Sequence, residues 1–458
     1  MCGVFGIRSE ERDVSRLAYF GLFALQHRGQ ESAGIAVSDQ GRLTVVRDMG
    51  LVAQVFNEQQ LQALPGEVAI AHTRYSTTGA NRWANAQPLI HHGRARTVAL
   101  GHNGNLVNVE ELRSELLSDG VRLLSGSDSE VVAALIARDP APLEEAVASA
   151  MRRLEGAYSV TALADGVLVA FRDPFGFRPL TFGQIGDDWV IASETCALDL
   201  IAADVVRDVR PGEVVWVDGD GLHAEQAVPA GKNALCIFEH VYLARPDSRL
   251  AGVEVHGARV RMGETLAREA PAEADLVIGI PDSGTPAAIG FSKASGIPFN
   301  EALIKNRYVA RTFIQPDQAM REQGIRMKFN PLDEVAGRRI VVVDDTIVRA
   351  NTTRQLVAML LDAGAAEVHV RISSPPVVSP CFYGIDFPDE DELPAAHRSV
   401  EEMRELIGAT SLHYLSVEGM QEATTVPEGS TCRACFTREY PTRVPPKTEK
   451  LRFEPASV

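Results

Sequence analysis

The sequence predicts two mixed α/β domains, residues 2–230 and 231–458, each built from layers of helix and sheet. The length of 458 residues corresponds to two or three domains of about 150 residues each. In the first half, short β-type runs alternate with helical stretches, which favours layered structure with mostly antiparallel sheets. In the second half, continuous apolar strands alternate with helices, which is typical of a parallel sheet covered on both faces.

The first half carries its β-type runs between turn residues. They are LTVVRD, EVAIAHTRYS, RTVALGHNG, YSVTALAD, GVLVAFRD and DWVIASE, with helical stretches near residues 14–26, 108–117, 127–138 and 141–154. Residues 210–235 differ, because Gly, Pro and Asp interrupt them repeatedly and such residues punctuate loops. We predict that this segment connects the two domains.

The second half carries its apolar strands in ADLVIGIPDSG, RRIVVVDD and EVHVRISSPP. Helices are predicted in AAIGFSKAS and TTRQLVAMLLDAGA, after the first two strands. Parallel sheets bind ligands at the carboxyl ends of their strands, which places a ligand where VIGIPDSG and VVVDD end. Residues 421–458 contain CRAC and then a tail rich in Pro and Lys, which predicts a strap over the domain surface.

Charge and composition exclude several classes of protein. Lys and Arg number 45 against 61 Asp and Glu, a net charge of -16, which argues against binding nucleic acid or an anionic membrane. No apolar run reaches the length of about 18 residues needed to span a bilayer, and the start turns charged too early for a secretory signal. Six cysteines are too few for a disulfide scaffold, so we expect a cytoplasmic protein whose cysteines are catalytic or metal-bound.

Cys2 is a candidate nucleophile because it precedes the small residue Gly3. Removal of the initiator methionine would leave Cys2 with a free amino group, whose reference pKa is near ~8. That amine can accept the proton of the adjacent thiol, which supplies a nucleophile and a base in one residue. The alternative is a buried cysteine near the start of the chain.

Three further segments contain groups suited to a small polar substrate. Arg74 in HTRYSTTG can grip a carboxylate with its fork of donors, or form a structural salt bridge. Asn103 and Gly104 in GHNGNL can form an oxyanion hole, or a hairpin turn. Asp128 in SGSDSE can bind a substrate ammonium, or cap the helix that follows.

Together these segments resemble the class II glutamine amidotransferases, N-terminal-nucleophile hydrolases with an αββα sandwich. The resemblance rests on MCGVFGI, LQHRGQESAGIA, AHTRYSTTG, GHNGNL and GSDSE, in order, over about residues 2–230. It implies that Cys2 attacks the glutamine amide, that its own amine acts as base, and that Asn103 and Gly104 stabilise the oxyanion. It also implies a set of glutamine-binding residues: His72, Arg74, Thr77 and Asp128.

A second candidate site lies in VVVDDTIVRANTTR, residues 341–354. Asp344 and Asp345 end an apolar strand and can hold ribose hydroxyls or a Mg²⁺-bound diphosphate, or simply cap a helix in solvent. The loop amides, with Asn351, Thr352 and Thr353, can cradle a phosphate at the amino terminus of the next helix.

This segment resembles the phosphoribosyl diphosphate motif of type I phosphoribosyltransferases, whose domain has a Rossmann-like parallel sheet. The loop of that family usually has Gly where this chain has Ala350, and alanine is strained there if the position requires a positive φ. The resemblance also implies that IPDSGTPAA is a diphosphate loop with Ser283 near the metal. No GxxxxGK[ST] motif occurs, so a P-loop ATPase is not supported.

Cations concentrate between these two loops, in residues 305–331. A long loop without clear secondary structure is often an active-site lid, although a solvated loop is the plain alternative. By resemblance, it closes over the diphosphate. Its basic residues are Lys305, Arg307, Arg311, Arg326 and Lys328.

The two halves in this order resemble the amidophosphoribosyltransferase family. That resemblance implies that glutamine, phosphoribosyl diphosphate and water give 5-phosphoribosylamine, glutamate and diphosphate, the committed step of purine synthesis, with ammonia passing internally between the sites. It further implies one Mg²⁺ per subunit at Ser283, Asp344 and Asp345, inhibition by purine nucleotides, and a homotetramer. Two other functions share part of the pattern: a sugar-phosphate aminating synthase, and a transcriptional regulator that senses phosphoribosyl diphosphate.

Four of the remaining cysteines are candidate metal ligands. Cys432 and Cys435 form a C-x-x-C pair, which alone is a metal pair, a redox pair or neither. Cys236 and Cys381 are too far away in sequence for spacing to decide. By resemblance, these four cysteines match the branch of the family that carries one structural 4Fe-4S cluster per subunit, which leaves Cys196 as a core residue.

Overall fold

The first unit of the fold is a pair of antiparallel sheets. The computed structural model describes residues 1–306, 326–387, 389–445 and 450–454. One sheet has the order β11-β9-β10-β1-β4-β2-β3 and the other β13-β12-β8-β7-β6-β5. Their strands are β1 Gly3–Arg8, β2 Ser32–Asp39, β3 Arg42–Met49, β4 Val68–Arg74, β5 Leu89–His92, β6 Thr97–Leu106, β7 Gly156–Ala164, β8 Val167–Arg172, β9 Thr181–Ile185, β10 Asp188–Ala192, β11 Asp204–Asp208, β12 Glu213–Asp218 and β13 Gly221–Gln226.

Three apolar cores make these sheets the inner layers of an αββα sandwich. One core, with Ala36 and Leu168, lies between the sheets. A second packs helices on the first sheet, and a third packs helices on the second sheet. The helices are α1 Val14–Ala24, α2 Val52–Val55, α3 Glu58–Gln62, α4 Val109–Ser118, α5 Asp128–Arg138, α6 Leu143–Met151 and α7 Thr195–Leu200. The predicted fold class of the first domain is therefore confirmed.

The prediction that residues 210–235 are a connection is wrong for most of that segment. Residues 213–226 form the antiparallel hairpin β12–β13, with Asp218 opposite Gly221 at its tip. Strand β12 also pairs with β8, so the hairpin extends the second sheet. The residues DGDG, from which we predicted a linker, instead form the turn of this hairpin. Asp-Gly is common in the turns of β-hairpins as well as in linkers.

The second unit is a parallel sheet in the order β17-β20-β21-β22, as predicted. One core with Val341 and Val343 covers one face, and another with Val342 and Leu360 covers the other. The strands are β17 Leu276–Gly279, β18 Leu303–Lys305, β19 Phe329–Pro331, β20 Arg339–Asp344, β21 Glu367–Ile372 and β22 Ser411–Tyr414. The helices are α8 Val255–Glu269, α9 Thr285–Ser295, α10 Asn351–Asp362, α11 Pro394–His397, α12 Val400–Ile407, α13 Val417–Thr424 and α14 Ala434–Thr437.

Short strands connect the two units. Strand β14, Leu235–Cys236, pairs in parallel with β23, Thr431–Cys432, and brings Cys236 opposite Cys432. A π-helical turn, Glu239–Leu243, follows β14, and β15, Arg249–Leu250, pairs with β16, Val253–Glu254. No helix in the described part of the chain is both long and apolar enough to cross a membrane.

Candidate functional site

Three contacts fix Cys2 immediately before strand β1. Its backbone N–H donates to Asn103 Oδ1 at 3.3 Å, and its carbonyl oxygen accepts from Arg28 Nε at 2.9 Å. Its Sγ lies 3.5 Å from the carbonyl oxygen of Tyr75. The residue is only 8% exposed, so the thiol is largely shielded from solvent.

Asn103 lies on β6 and is fully buried. Its Oδ1 faces Cys2, while its Nδ2 has no hydrogen-bond partner among the described residues. A buried donor without a partner is costly, and such a group often awaits a ligand. The next residue, Gly104, cannot carry a side chain, because a Cβ would lie 2.0 Å from the carbonyl oxygen of Ala157. Gly104 is therefore required by close backbone packing, and the side chain of Asn103 contacts Cys2 while keeping one amide donor without a partner among the described residues.

Arg74 ends strand β4 and is buried, with 2% of its surface exposed. Its guanidinium donates to the carbonyl oxygens of Ala80 and Thr78, both at 3.1 Å, and lies 3.6 Å from Glu31. Burial lowers the pKa of Arg74. Arg74 thus stabilises the loop that follows it. Recognition of a substrate carboxylate stays a prediction, and it would require N–H groups of Arg74 that now donate to the loop carbonyl oxygens.

Asp128 is the first residue of α5, and the cap of that helix is Ser127. The alternative of Asp128 as the helix cap is therefore wrong. Its carboxylate accepts from the N–H of Leu106 at 3.0 Å, at the end of β6, which brings it to the strand that carries Asn103. Thr77 lines the cavity beside Asn105 and Leu106.

His72 is fully buried on β4, opposite Val4 in the sheet. Its Nε2 donates to the carbonyl oxygen of His102 at 3.1 Å. Burial, with a contribution from Arg74, lowers the pKa of His72 to about 3, so the ring is neutral at physiological pH.

Residues 450–454 dock on the loop that follows Arg74. The carboxylate of Glu454 accepts from Ala80 N and from Asn85 Nδ2, both at 2.6 Å, and forms an ion pair with Arg82. The carbonyl oxygen of Lys450 accepts from Gly79 N at 2.8 Å. The predicted strap therefore reaches the first domain, where it fixes the loop after the Arg74 strand.

The second candidate site lies where β17 and β20 end side by side. Asp344 is the last residue of β20, and burial, together with the adjacent Asp345, raises its pKa well above the ordinary value. The loop with Ser283 packs closely on this strand end, since a Cβ on Gly284 would lie 2.4 Å from the carbonyl oxygen of Val343. A half-buried carboxylate, Asp344, next to a buried one, Asp345, at a sheet edge is a suitable environment for a hard cation such as Mg²⁺.

Ala350 precedes α10 with φ 62° and ψ -16°, in the left-handed region. The suspected requirement for a positive φ is confirmed, and alanine is strained there by about 1–2 kcal/mol. Asn351, Thr352 and Thr353 form the first turn of α10, so their amides point towards the loop in which a phosphate is expected.

The predicted basic residues are only partly described. Arg307 and Arg311 lie outside the described residues. Lys305 pairs with Asp282 in the diphosphate loop at 2.5 Å, and the carbonyl oxygen of Lys328 accepts from Asn306 N at 2.7 Å. Arg326 pairs with Asp362 at the end of α10.

The four candidate cluster cysteines line one cavity. Its lining also includes Phe177, Arg178 and Tyr383. Burial raises the pKa of Cys236 to about 11, with a further contribution from Cys381. Among the described residues, no group of three or more His, Cys, Asp or Glu is close enough to hold a single metal ion. Four thiols around one cavity are the donor set of either a four-thiolate zinc site or an iron–sulfur cluster.

Cys196 is buried on α7 in the core of the first unit. Burial, and then the nearby Glu194 carboxylate, raise the pKa of its thiol. All six cysteines are free thiols.

Sequence reasoning missed the residues that hold these groups in place. Arg28, within LQHRGQESAGIA, binds the Cys2 carbonyl, and Glu239, within FEHVYLARPDS, binds Arg28. Glu31 accepts from the N–H and hydroxyl of Ser76. The signal that could have indicated Glu239 is a carboxylate within the largely apolar run LCIFEHVYL.

Comparison with known proteins agrees with both halves of the site. The family described as "Glutamine amidotransferase domain" matches residues 72–200. An amidophosphoribosyltransferase from Synechococcus elongatus is 54% identical, covering 99% of this chain and 94% of the relative. One from Archaeoglobus fulgidus is 47% identical, covering 97% of this chain and 99% of the relative.

A solved structure gives the same result. The glutamine phosphoribosylpyrophosphate amidotransferase from B. subtilis, complexed with ADP and GMP, is 45% identical with a TM-score of 0.92, covering 98% of this chain and 99% of that chain. Fold and site thus define a two-domain glutamine amidotransferase with a phosphoribosyltransferase domain.

The chain belongs to the amidophosphoribosyltransferase family. Its reaction is the glutamine-dependent amination of 5-phosphoribosyl 1-diphosphate to 5-phosphoribosylamine, in purine biosynthesis.

Proposed function

We propose that this reaction is divided between a glutaminase site at Cys2 and a phosphoribosyl site at Asp344 and Asp345. The observation that carries the proposal is the position of Asn103, whose Oδ1 faces the Cys2 backbone while its Nδ2 has no partner within the described residues. An amide donor without a partner, on a side chain that contacts the residue of the nucleophile, can stabilise a tetrahedral oxyanion.

At the glutaminase site, the Cys2 thiol attacks the side-chain amide of glutamine. The amine of Cys2, freed by removal of Met1, takes the thiol proton and returns it to the departing ammonia, which leaves a γ-glutamyl thioester on Cys2. Water then hydrolyses the thioester, which releases glutamate and restores the thiol. In the chain that retains Met1, burial and then the cations Arg178 and Arg28 lower the pKa of the Met1 amine to about 5. Asn103 and Gly104 receive the oxyanion.

Residues around Cys2 hold the glutamine substrate. Arg74 and Asp128 bind the carboxylate and the ammonium of glutamine, assisted by Thr77. His72 is neutral and buried, so it fixes the β4 and β6 strands through the His102 carbonyl rather than carrying charge to the substrate.

At the phosphoribosyl site, Ser283, Asp344 and Asp345 hold a Mg²⁺ ion. The raised pKa of Asp344 supports this role, because an added cation would offset the repulsion between the two adjacent carboxylates. Asn351, Thr352 and Thr353 bind the 5-phosphate at the start of α10. The cations at positions 305, 307, 311 and 328 bind the diphosphate. Mg²⁺ supplies charge stabilisation for the departing diphosphate.

Ammonia passes between the sites inside the protein. One apolar core includes Val241 and Ile385 and continues to Val343, the residue before Asp344. Passage along apolar side chains keeps ammonia unprotonated, whereas in bulk water near neutral pH it would become ammonium and lose its nucleophilic lone pair.

Cys236, Cys381, Cys432 and Cys435 hold one 4Fe-4S cluster with a structural role. The cluster would crosslink β14, β23 and the segment that contains Cys381. Their shared cavity supports this assignment. Iron and acid-labile sulfide, measured after anaerobic purification, are expected at four atoms of each per chain, and stoichiometric zinc would overturn the assignment.

Purine nucleotides are proposed as further ligands, because the B. subtilis relative was solved with ADP and GMP. A cytoplasmic homotetramer is proposed from family resemblance. Sedimentation equilibrium tests the assembly, and nucleotide titration of activity tests inhibition.

The residue assignment is tested by comparing glutamine-dependent and ammonia-dependent synthesis of phosphoribosylamine in wild type and Cys2→Ala. The variant should lose the first activity and keep the second. Loss of both, or of neither, would contradict a two-site mechanism. Intact mass of the active enzyme should show that Met1 is absent.

A further inference from the structure

Four buried charged side chains form a chain between the two halves of the molecule. Their order is Glu194, Arg28, Glu239 and Arg178, and none of the four side chains is exposed. Charges are buried in proteins when each is paired and hydrogen-bonded. The alternation of sign meets that condition.

Arg28 occupies the centre of this chain and contacts Cys2 directly. Its Nε donates to the Cys2 carbonyl oxygen at 2.9 Å. The opposite edge of the guanidinium binds both oxygens of Glu239, with Nη2 at 2.9 Å and Nη1 at 3.1 Å. Because the guanidinium is planar, hydrogen bonds at Nε and at the two Nη atoms together fix the orientation of the Arg28 side chain.

The two carboxylates that hold Arg28 are not equivalent. Glu194 lies in the first unit and also accepts from Ser248 Oγ and Arg245 N. Glu239 opens the π-helical turn after β14, and its two oxygens are directed to Arg28 and Arg178. Glu239 therefore sets the direction of Arg28.

We propose that Glu239 is a positioning residue for Cys2 and acts on it through Arg28. Cys2 is held from both sides of its backbone, with its N–H on Asn103 and its carbonyl oxygen on Arg28. The direction of its amine and its thiol depends on those two bonds. A neutral side chain at position 239 would leave Arg28 with Glu194 alone and loosen the bond to the Cys2 carbonyl.

This inference rests on the proposed role of Cys2 as nucleophile. It adds that the reactivity of the glutaminase site depends on a side chain from beyond the domain connection. A shift of about 1 Å in a reacting group reduces rate by up to about a hundredfold, so a loosened Cys2 should lower turnover more than substrate binding.

The test uses the full-length enzyme with Glu239→Gln, Glu239→Asp and a matched control, Glu213→Gln. Glu213 is also buried, and its two carboxylate oxygens accept from Nη1 and Nη2 of Arg207 at 2.7 and 2.8 Å. Two rates are measured: glutamine hydrolysis, and alkylation of Cys2 by the glutamine analogue 6-diazo-5-oxo-L-norleucine. Ammonia-dependent synthesis reports on the second site.

E239Q should lower kcat for glutamine hydrolysis and the alkylation rate by about tenfold or more. The KM for glutamine and the ammonia-dependent activity should stay within about twofold of wild type. E239D, which keeps the charge, should react faster than E239Q and more slowly than wild type, whereas E213Q should resemble wild type. If E239Q does not fold, E239D alone decides.

A wild-type alkylation rate in E239Q, or in E239D if only that variant folds, would overturn the proposal. Equal loss of the glutamine-dependent and ammonia-dependent activities would also overturn it, since that indicates a general structural role. Failure of the analogue to label Cys2 in the wild type would instead contradict the proposed nucleophile, so the two failures are distinguishable.

Discussion

Asn105 Nδ2 donates to the carbonyl oxygen of Phe382 at 3.1 Å. Asn105 lies two residues after Asn103 on β6, and Phe382 follows the candidate cluster ligand Cys381. The same segment also places Gly384 against Gly104. The strand of the proposed oxyanion hole thus packs directly on the segment that the cluster would crosslink.

A side chain at position 384 should therefore disturb the oxyanion strand. Gly384 has φ 103°, and a Cβ would lie 3.0 Å from the Gly104 carbonyl group. Gly384→Ala should lower the free energy of unfolding by about 2–3 kcal/mol and reduce glutamine hydrolysis. Urea denaturation and a glutaminase assay measure the two effects.

The matched control is Gly408→Ala, at φ 72° with nothing within 4 Å of the added Cβ. This substitution introduces the same backbone strain without a close contact, so it should lower the free energy of unfolding by about 1 kcal/mol. Equal destabilisation by the two substitutions would contradict a role for the Gly384–Gly104 contact.

Relief of strain at Ala350 should stabilise the phosphate loop. Because Ala350 has φ 62°, Ala350→Gly should raise the free energy of unfolding by about 1 kcal/mol. Ala363→Gly is the control at the other end of α10, where φ is -78°. It should lower stability by about 0.5–1 kcal/mol. Thermal denaturation distinguishes the signs, and a lower stability of A350G would show that Ala350 is unstrained.

Most of the sandwich was predictable, because its strands alternate and its helices show an apolar face between turn residues. Helix α5, for example, occupies Asp128–Arg138, where residues 127–138 are predicted to be helical. The β12–β13 hairpin was not predictable as such, since Gly and Asp at its turn are equally typical of a linker. Local pattern did not decide between the two.

Candidate site residues such as Cys2, Asn103 and Asp344 were identified from short motifs, and their catalytic and binding roles stay predictions. The supporting contacts were not predictable. Arg28 and Glu239 are 211 residues apart, and Ala80 and Glu454 are 374 apart. Such pairs leave no periodic signal, because the fold alone brings them together.

His72 should make stability depend on pH. Its pKa is about 3 in the folded protein, whereas an unfolded histidine titrates near about 6.5. Between these values the unfolded chain binds a proton that the folded chain does not, so the free energy of unfolding falls as the pH drops below about 6.5. The contribution approaches about 1.4 kcal/mol per pH unit.

His72→Gln should reduce the slope of the free energy of unfolding against pH, between pH 6.5 and 4.5, by up to about 1.4 kcal/mol per pH unit. Urea denaturation at a series of pH values measures it. His223→Gln is the control, because His223 is partly exposed and pairs with Asp218. Identical slopes for wild type and H72Q would mean that His72 is not held neutral by the fold.

Glu454 should stabilise the loop after Arg74. Its carboxylate accepts from Ala80 N and Asn85 Nδ2, and charged hydrogen bonds contribute about 1.5–3 kcal/mol each. Glu454→Gln should speed hydrogen exchange of residues 79–85 by about tenfold or more. The exposed Glu439 provides the control, Glu439→Gln, with no change expected. Unchanged exchange in E454Q would show that residues 450–454 do not fix this loop.

The central claim is that ammonia released at Cys2 is used at the Asp344 and Asp345 site without entering bulk solvent. The most direct measurement supplies amide-¹⁵N glutamine together with unlabelled ammonium and determines the isotope in the nitrogen of phosphoribosylamine. Wild type should give product that carries the glutamine label undiluted, and Cys2→Ala should give unlabelled product. Wild-type product diluted to the isotope ratio of the bulk ammonia would contradict the claim.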